Sequence, residues 1–159
     1  MPGTWQDVQD YIRTQKGKVV VVDIWSTSCL PCMEEFPNLV DLQKSLGPDV
    51  VCVSFNVDYV GARKRPPEYF RPRVEKFLRR SKAQFRNYLS TAESEALFQE
   101  LRLPSIPAVY VYGADGRLAR RFDPSLLEDD EDEPFTYGED VVPFVKQQVA
   151  KARAAGTDD

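Results

Sequence analysis

Apolar residues occur along the chain in two patterns, one typical of helices and the other of buried strands. In TWQDVQDYIR, Trp5, Val8 and Ile12 have the spacing of one face of a short helix. Residues 18–25, KVVVVDIW, form an apolar run rich in β-branched side chains, which is typical of a strand covered on both faces. A second run of this kind, DVVCVSFNVD, occupies residues 49–58. These runs predict a helix and two buried strands.

A longer helix is predicted between the two strands. The segment PCMEEFPNLVDLQKSLG, residues 31–47, ends at Gly47 and contains Pro37, which we expect to kink it. Its apolar side consists of Met33, Phe36, Leu39, Val40 and Leu46. Alternation of strand, helix and strand is typical of parallel sheets that are covered by helices.

Two further helices follow the second strand. Residues 59–72 form a connection rich in proline and arginine, and Pro72 suits the first turn of the helix that comes next. Ser90 and Glu93 are spaced as a capping box, which predicts the start of another helix.

The last part of the chain predicts a hairpin and a closing helix. Residues 106–122, IPAVYVYGADGRLARRF, read as two strands joined by a turn at 113–116. The closing helix is interrupted early by Pro143. The order of elements predicts a three-layer α/β domain with a mixed sheet.

The chain length predicts one domain. At 159 residues, with 42% apolar and 29% charged residues, it has the composition of an ordinary globular protein. We expect a single domain over 1–159, with its core at about 15–150 and a flexible tail at 154–159. No apolar stretch reaches membrane-spanning length, and the N-terminus lacks the pattern of a secretory signal.

Charge is distributed unevenly around a net value of −4. Residues 128–133 are six consecutive acids, whereas residues 62–86 contain ten Lys or Arg and two Glu. We interpret these segments as a disordered acidic loop and a solvated basic helix face, and docking of a partner is the alternative. Nucleic acid is not expected, because the chain is acidic overall and no aromatic-basic recognition motif accompanies the basic segment.

The absence of histidine excludes several kinds of chemistry. A chain without histidine has no Ser-His or Cys-His catalysis, no imidazole base and no histidine-ligated haem or zinc. Its three cysteines are too few for a disulfide framework. Two of them, Cys29 and Cys32, form a Cys-x-x-Cys motif, and Cys52 lies within the second predicted strand.

The Cys-x-x-Cys motif lies where a buried strand ends and a helix begins. Unpaired N–H groups in the first turn of a helix stabilise a thiolate, which is the nucleophile of disulfide exchange. We therefore expect Cys29 to be the exposed attacking thiol and Cys32 to be the more buried, resolving thiol. Pro31 suits this turn because it removes an N–H that needs no partner there.

Asp23 is a carboxylate in an otherwise apolar strand, six residues before Cys29. Burial without a partner raises the pKa of a carboxyl group, which makes Asp23 a candidate proton acceptor for the resolving thiol. The alternative is that Asp23 marks the exposed end of the strand.

The segment VVVDIWSTSCLPCMEEFP resembles the active-site segment of the thioredoxin superfamily, and SIPAVYVY resembles its second fingerprint, in which a cis-proline faces the dithiol. The acidic MEEFP, the insertion between residues 59 and 95 and the segment YGADGRLARRF look most similar to the TlpA/ResA-type branch. The resemblance implies a thioredoxin-like three-layer sandwich, a central mixed sheet flanked by helices, with an N-terminal helix and an inserted helical segment.

The resemblance also implies an activity and a set of site residues. It implies thiol-disulfide exchange with protein disulfides through the Cys29–Cys32 disulfide, with no other cofactor and no metal, and with an upstream electron donor. The resemblance places Ile106 and the cis-proline Pro107 against the substrate, and we expect Trp25, Ser28 and Pro31 to contribute to the substrate-binding surface as well. We expect a monomer that acts as a reductant. The resemblance implies a location outside the cytoplasm, in the periplasm, where proteins of this branch are usually anchored, and a cytoplasmic location is the alternative.

The sequence departs from the family pattern before the first cysteine. Ser28 stands where a tryptophan or another large residue is common, and Ser26 and Thr27 make the entrance polar. Trp25 is also expected to pack beside the site.

Other functions fit the motif less well. A non-catalytic thioredoxin-like binding module is one alternative, although such modules commonly lose one cysteine. Metal or cluster binding is another, with Cys52 as a third soft ligand where zinc requires four. A peroxidase site would place a proline where this chain has Val22.

Overall fold

A six-stranded mixed sheet forms the centre of the protein in a computed structural model that describes residues 1–124 and 133–156. The strands are β1 (Pro2–Gly3), β2 (Val19–Trp25), β3 (Val50–Asn56), β4 (Arg86–Ser90), β5 (Ala108–Tyr112) and β6 (Leu118–Phe122). Their order across the sheet is β1-β4-β3-β2-β5-β6. The first four pair in parallel, whereas β5 is antiparallel to β2 and to β6.

Helices cover both faces of this sheet. They are α1 (Trp5–Thr14), α2 (Leu30–Leu46), α3 (Pro67–Ser81), α4 (Ser94–Leu101) and α5 (Val142–Gly156), and a π-helical turn at Tyr137–Val141 leads into α5. The predicted three-layer α/β architecture is confirmed, including the N-terminal helix α1 and the inserted helix α3. Within the described residues, no helix combines the length and apolar character needed to cross a bilayer.

Strand β2 is buried along its whole length, as its apolar run predicts. Side chains alternate between the two faces of a strand, so Val19, Val21 and Trp25 join the core that includes α2 and α5. Val20, Val22 and Ile24 point the other way, into the core that includes α1 and α4. Asp23 has the same parity as Trp25 and therefore belongs to the α2 side.

Two predicted helix starts are wrong. Helix α3 begins at Pro67 rather than near Pro72, because Pro67 already supplies the helical φ of the first turn. The capping box is also absent: Ser90 is the last residue of β4, and Glu93 is the N-cap of α4 but makes no side-chain capping bond. The Ser90 hydroxyl instead donates to the carbonyl of Ala92 at 2.8 Å.

Strands β1 and β4 were not expected from the sequence. β1 contains only two residues, and only two of the five residues of β4, RNYLS, are apolar. Helix α5 extends through Gly156, so residues 154–156 of the predicted tail are helical. Residues 157–159 and residues 128–132 of the predicted acidic loop lie outside the described residues.

Candidate active site at the junction of β2 and α2

The two cysteines of the motif form a disulfide at the start of α2. Cys29 is the N-cap, and its sulfur accepts a hydrogen bond from the Cys32 N–H at 3.3 Å. Cys29 is half-buried, whereas Cys32 is 1% exposed. Cys29 is therefore the more accessible of the two cysteines and Cys32 the more buried, as the sequence predicts. Pro31 lies in the first turn of the helix and is exposed.

The peptide bond between Ile106 and Pro107 is cis. Strand β5 begins at the next residue, Ala108, which pairs with Ile24 of β2 in the antiparallel register. This pairing places Pro107 at the end of β2 from which the loop to Cys29 departs. The sheet thus brings together two segments that are more than 70 residues apart in the chain.

A groove of about 900 Å³ lies beside this junction. Pro31, Ile106 and Pro107 contribute to its lining, together with Glu34 and Glu35. Three of the five residues predicted to contact substrate therefore line one concave surface. Its position suits an extended segment of a partner.

The other two predicted contact residues have different surroundings. Ser28 is exposed, next to Cys29. Trp25 is fully buried and packs against Phe36 and Phe77, with ring centroids 5.0 and 4.9 Å away. Its indole forms part of the core beneath α2, so burial speaks against the expected substrate contact and agrees with the expectation that Trp25 packs beside the site.

Asp23 is buried within β2, which excludes the alternative of an exposed strand end. Burial raises its pKa from the ordinary 3.8 to about 7, and the charge of Glu35 adds to the rise. A hydrogen bond from the Tyr137 hydroxyl to Oδ2, at 2.5 Å, acts in the opposite direction. Among the described residues, Oδ1 has no hydrogen-bond partner and can take up a proton.

Tyr137 and Glu35 were not recognised in the sequence. Tyr137 comes from the π-helical turn and is 114 residues away from Asp23 along the chain. Glu35 lies one turn after Cys32 in α2, and its Oε2 accepts hydrogen bonds from Asn38 Nδ2 at 2.9 Å and from the Tyr137 N–H at 3.4 Å. The sequence signal for Glu35 is its spacing of three residues from Cys32, whereas Tyr137 leaves no local signal.

Cys52 lies within β3 and is fully buried. Its thiol donates to the Leu39 carbonyl at 3.5 Å, and burial raises its pKa far above the ordinary value. These surroundings are those of an inert core cysteine. In the described parts of the chain, no cluster of three or more cysteine or acidic side chains is arranged to hold a metal.

Solved structures similar to this chain share its architecture. A thiol:disulfide interchange protein of the thioredoxin family from Chlorobium tepidum matches with a TM-score of 0.59 at 19% identity, over 86% of this chain and 83% of that one. A thiol-disulfide isomerase from Corynebacterium glutamicum matches with a TM-score of 0.63 at 15% identity, over 86% and 84%. The chain has the thioredoxin-like fold. No protein-family model matches the sequence.

A third thioredoxin-like structure is that of a secreted Mycobacterium tuberculosis disulfide oxidoreductase homologous to E. coli DsbE. It matches with a TM-score of 0.55 at 19% identity, over 87% of this chain and 85% of that one. At identities this low, structural similarity shows the fold alone, and evidence for an activity comes from the site itself.

The raised pKa of Asp23 predicts that stability falls as pH rises. The folded protein holds this proton up to about pH 7, whereas the unfolded chain releases it near 3.8, so the stabilisation present below 3.8 is lost by about pH 7. The difference corresponds to about 4 kcal/mol. Asp23→Asn, which keeps an acceptor for Tyr137, should remove this part of the pH dependence of the free energy of unfolding.

Urea unfolding of both proteins in the oxidised form, followed by tryptophan fluorescence across this pH range, measures the effect. Parallel curves for the wild type and Asp23→Asn would contradict a raised pKa. Asp49→Asn, at the opposite end of β3 from the site, is the matched control and should leave the wild-type pH dependence in place.

Proposed function

We propose that this protein is a thiol-disulfide oxidoreductase that exchanges electrons between the Cys29–Cys32 pair and disulfides of partner proteins. The observation that carries the proposal is the asymmetry of the pair, because a half-buried Cys29 caps a helix while Cys32 lies beneath it. The first turn of the helix favours a thiolate on Cys29, and a buried second thiol can resolve a mixed disulfide. The groove at Ile106 and Pro107 supports a protein substrate.

The exchange proceeds in two steps. The Cys29 thiolate attacks one sulfur of the partner disulfide, forms a mixed disulfide and releases the other partner sulfur as a thiolate. Cys32 then loses its proton and attacks the Cys29 sulfur, which releases the second partner thiolate and forms the Cys29–Cys32 disulfide. Two electrons pass to the partner, and an upstream donor must reduce the pair again.

Asp23 is proposed as the acceptor of the Cys32 proton. Both groups are buried near the junction of β2 and α2. The charge of Glu35, which lies one turn after Cys32, raises the pKa of Asp23. A carboxyl group with a pKa of about 7 is well matched to proton transfer near neutral pH.

The proposed direction is reduction of the partner. Pro31 between the cysteines and Ile106 before the cis-proline favour a reductant through the resemblance to thioredoxins. A location outside the cytoplasm is proposed as well, and it is supported by the similar fold of a protein described as secreted.

Equilibration with glutathione should give a reduction potential below about −220 mV if the pair is a reductant.

Insulin reduction with dithiothreitol as the donor tests the activity. The wild-type protein should accelerate precipitation of the insulin B chain, and Cys29→Ser should show the uncatalysed rate because the attacking sulfur is gone. Cys52→Ser is the matched control and should retain the wild-type rate, since the Cys52 thiol is fully buried within β3 and takes no part in the exchange. Failure of the wild type to accelerate the reaction would favour the non-catalytic binding module.

Cys32→Ser should trap partners. Without the resolving thiol, the mixed disulfide with Cys29 persists, so covalent adducts should accumulate in extracts of the source cells and identify substrates by mass spectrometry. The double variant Cys29→Ser/Cys32→Ser should form none. Equal adduct formation by the single and double variants would show that Cys29 is not the attacking thiol.

The pH dependence of the exchange rate tests the proton acceptor. Asp23→Asn should slow the resolving step near neutral pH, whereas Tyr137→Phe should move the rising limb of the profile to higher pH. The reason for the shift is that removal of the Tyr137 hydrogen bond raises the pKa of Asp23 further. Identical profiles for the wild type and both variants would exclude this role of Asp23.

A further inference from the structure

The loop at residues 26–28, which joins β2 to α2, is gathered around one buried carboxylate. The side chain of Asp58, two residues after β3, is 0% exposed. Its Oδ1 accepts hydrogen bonds from the Ser26 hydroxyl at 2.5 Å and from the Thr27 N–H at 2.7 Å. Its Oδ2 accepts from the Thr27 hydroxyl at 2.5 Å. One carboxylate therefore fixes two consecutive residues of the loop.

The loop transmits this constraint to Cys29. The Ser28 N–H donates to the Ser26 hydroxyl at 3.1 Å, and the Cys29 N–H donates to the Ser26 carbonyl at 3.2 Å. Hydrogen bonds thus run without a break from Asp58 to the backbone of the N-cap residue of α2. The position of the Cys29 sulfur over the first turn depends on this backbone.

Asp58 is itself held by β3 and by the inserted helix. Asn56 and Asp58 exchange two hydrogen bonds, at 3.3 Å to Asp58 Oδ1 and at 3.0 Å from the Asp58 N–H. Arg73 of α3 lies 3.4 Å from Oδ2, and its guanidinium group also stacks over the Phe70 ring. The buried charge is therefore compensated from several sides, which a carboxylate in the core requires.

We propose that Asp58 is a positioning residue for the exchange reaction, because it holds residues 26–28 so that the Cys29 sulfur stays over the first turn of α2. There the helix N–H groups stabilise the thiolate that attacks the partner disulfide. This inference rests on the proposed function of the dithiol. It links Arg73, from the basic inserted segment, to the reactive cysteine.

Positioning and simple charge repulsion predict opposite changes in the reactivity of Cys29 when Asp58 is removed. If Asp58 acted only as a nearby negative charge, its removal would favour the Cys29 thiolate and speed the reactions of Cys29. If it acts by positioning, its removal lets the sulfur leave the helix start, so the thiolate is less stable and reacts more slowly. The side-chain and backbone donors around Asp58 reduce the electric field of its charge at Cys29. We therefore expect slower reaction of Cys29 when Asp58 is removed.

The test is the rate at which iodoacetamide alkylates Cys29 in the fully reduced protein between about pH 5 and pH 9, measured by mass spectrometry. At pH 7, Asp58→Ala should slow alkylation about fivefold, which is the size of a typical helix-terminus effect. Asp58→Asn keeps one acceptor oxygen and should show a smaller loss. The pH midpoint of alkylation should rise in the same order.

Two more variants keep the test decisive if Asp58→Ala does not fold. Thr27→Val removes one hydroxyl donor with little change of shape and should slow alkylation in the same direction as Asp58→Asn. Asp49→Ala removes a carboxylate at the opposite end of β3, where it pairs with Arg153, and should keep the wild-type rate.

Folded Asp58 variants with wild-type or faster alkylation would overturn the positioning role. This outcome differs from failure of the proposed function, because alkylation by a small reagent needs neither a partner protein nor turnover. A wild type that does not reduce insulin would contradict the function and leave the alkylation rates interpretable.

Discussion

Burial of the Asp23 carboxylate in the central strand is the constraint on which the site depends. Strand β2 lies between β3 and β5 and is covered by helices on both faces, so a charge within it has no access to water. A hydrogen bond from Tyr137, in the π-helical turn before α5, offsets part of this cost. The π-helical turn before α5 therefore does more than cover the sheet, because its Tyr137 supplies the hydrogen-bond donor to Asp23 in β2.

The same strand determines where the start of α2 and the cis-proline meet. β2 ends at Trp25, α2 starts at Leu30, and β5 begins directly after cis-Pro107 in antiparallel register with β2. Because pairing of β2 with β5 fixes this register, the helix start and the proline cannot shift relative to each other without a change in the sheet. The Cys29 sulfur thus owes its surroundings to strand pairing as well as to the Cys-x-x-Cys spacing.

The parts of the site that depend on local pattern could be predicted from the sequence. The apolar run of β2, the helix after it and the asymmetric positions of Cys29 and Cys32 all follow from residues within about one helical turn of one another. Tyr137 and Asp58 could not be predicted in this way, because their partners are 114 and 31 or 32 residues away. For Trp25 the sequence left both packing beside the site and contact with substrate open, and burial in the core beneath α2 decides for packing.

The polar loop before Cys29 now has a physical explanation. As a sequence, Ser26, Thr27 and Ser28 suggest an entrance that has lost a large residue and become open to partners. In the structure, Ser26 is buried and both Ser26 and Thr27 donate to Asp58, so two of the three polar residues satisfy an internal carboxylate. Ser28 alone among the three is exposed, with its hydroxyl 2.8 Å from that of Ser26. A large side chain at position 28 would therefore change the surface that a partner meets, whereas replacement of Ser26 or Thr27 would remove donors that a buried charge requires.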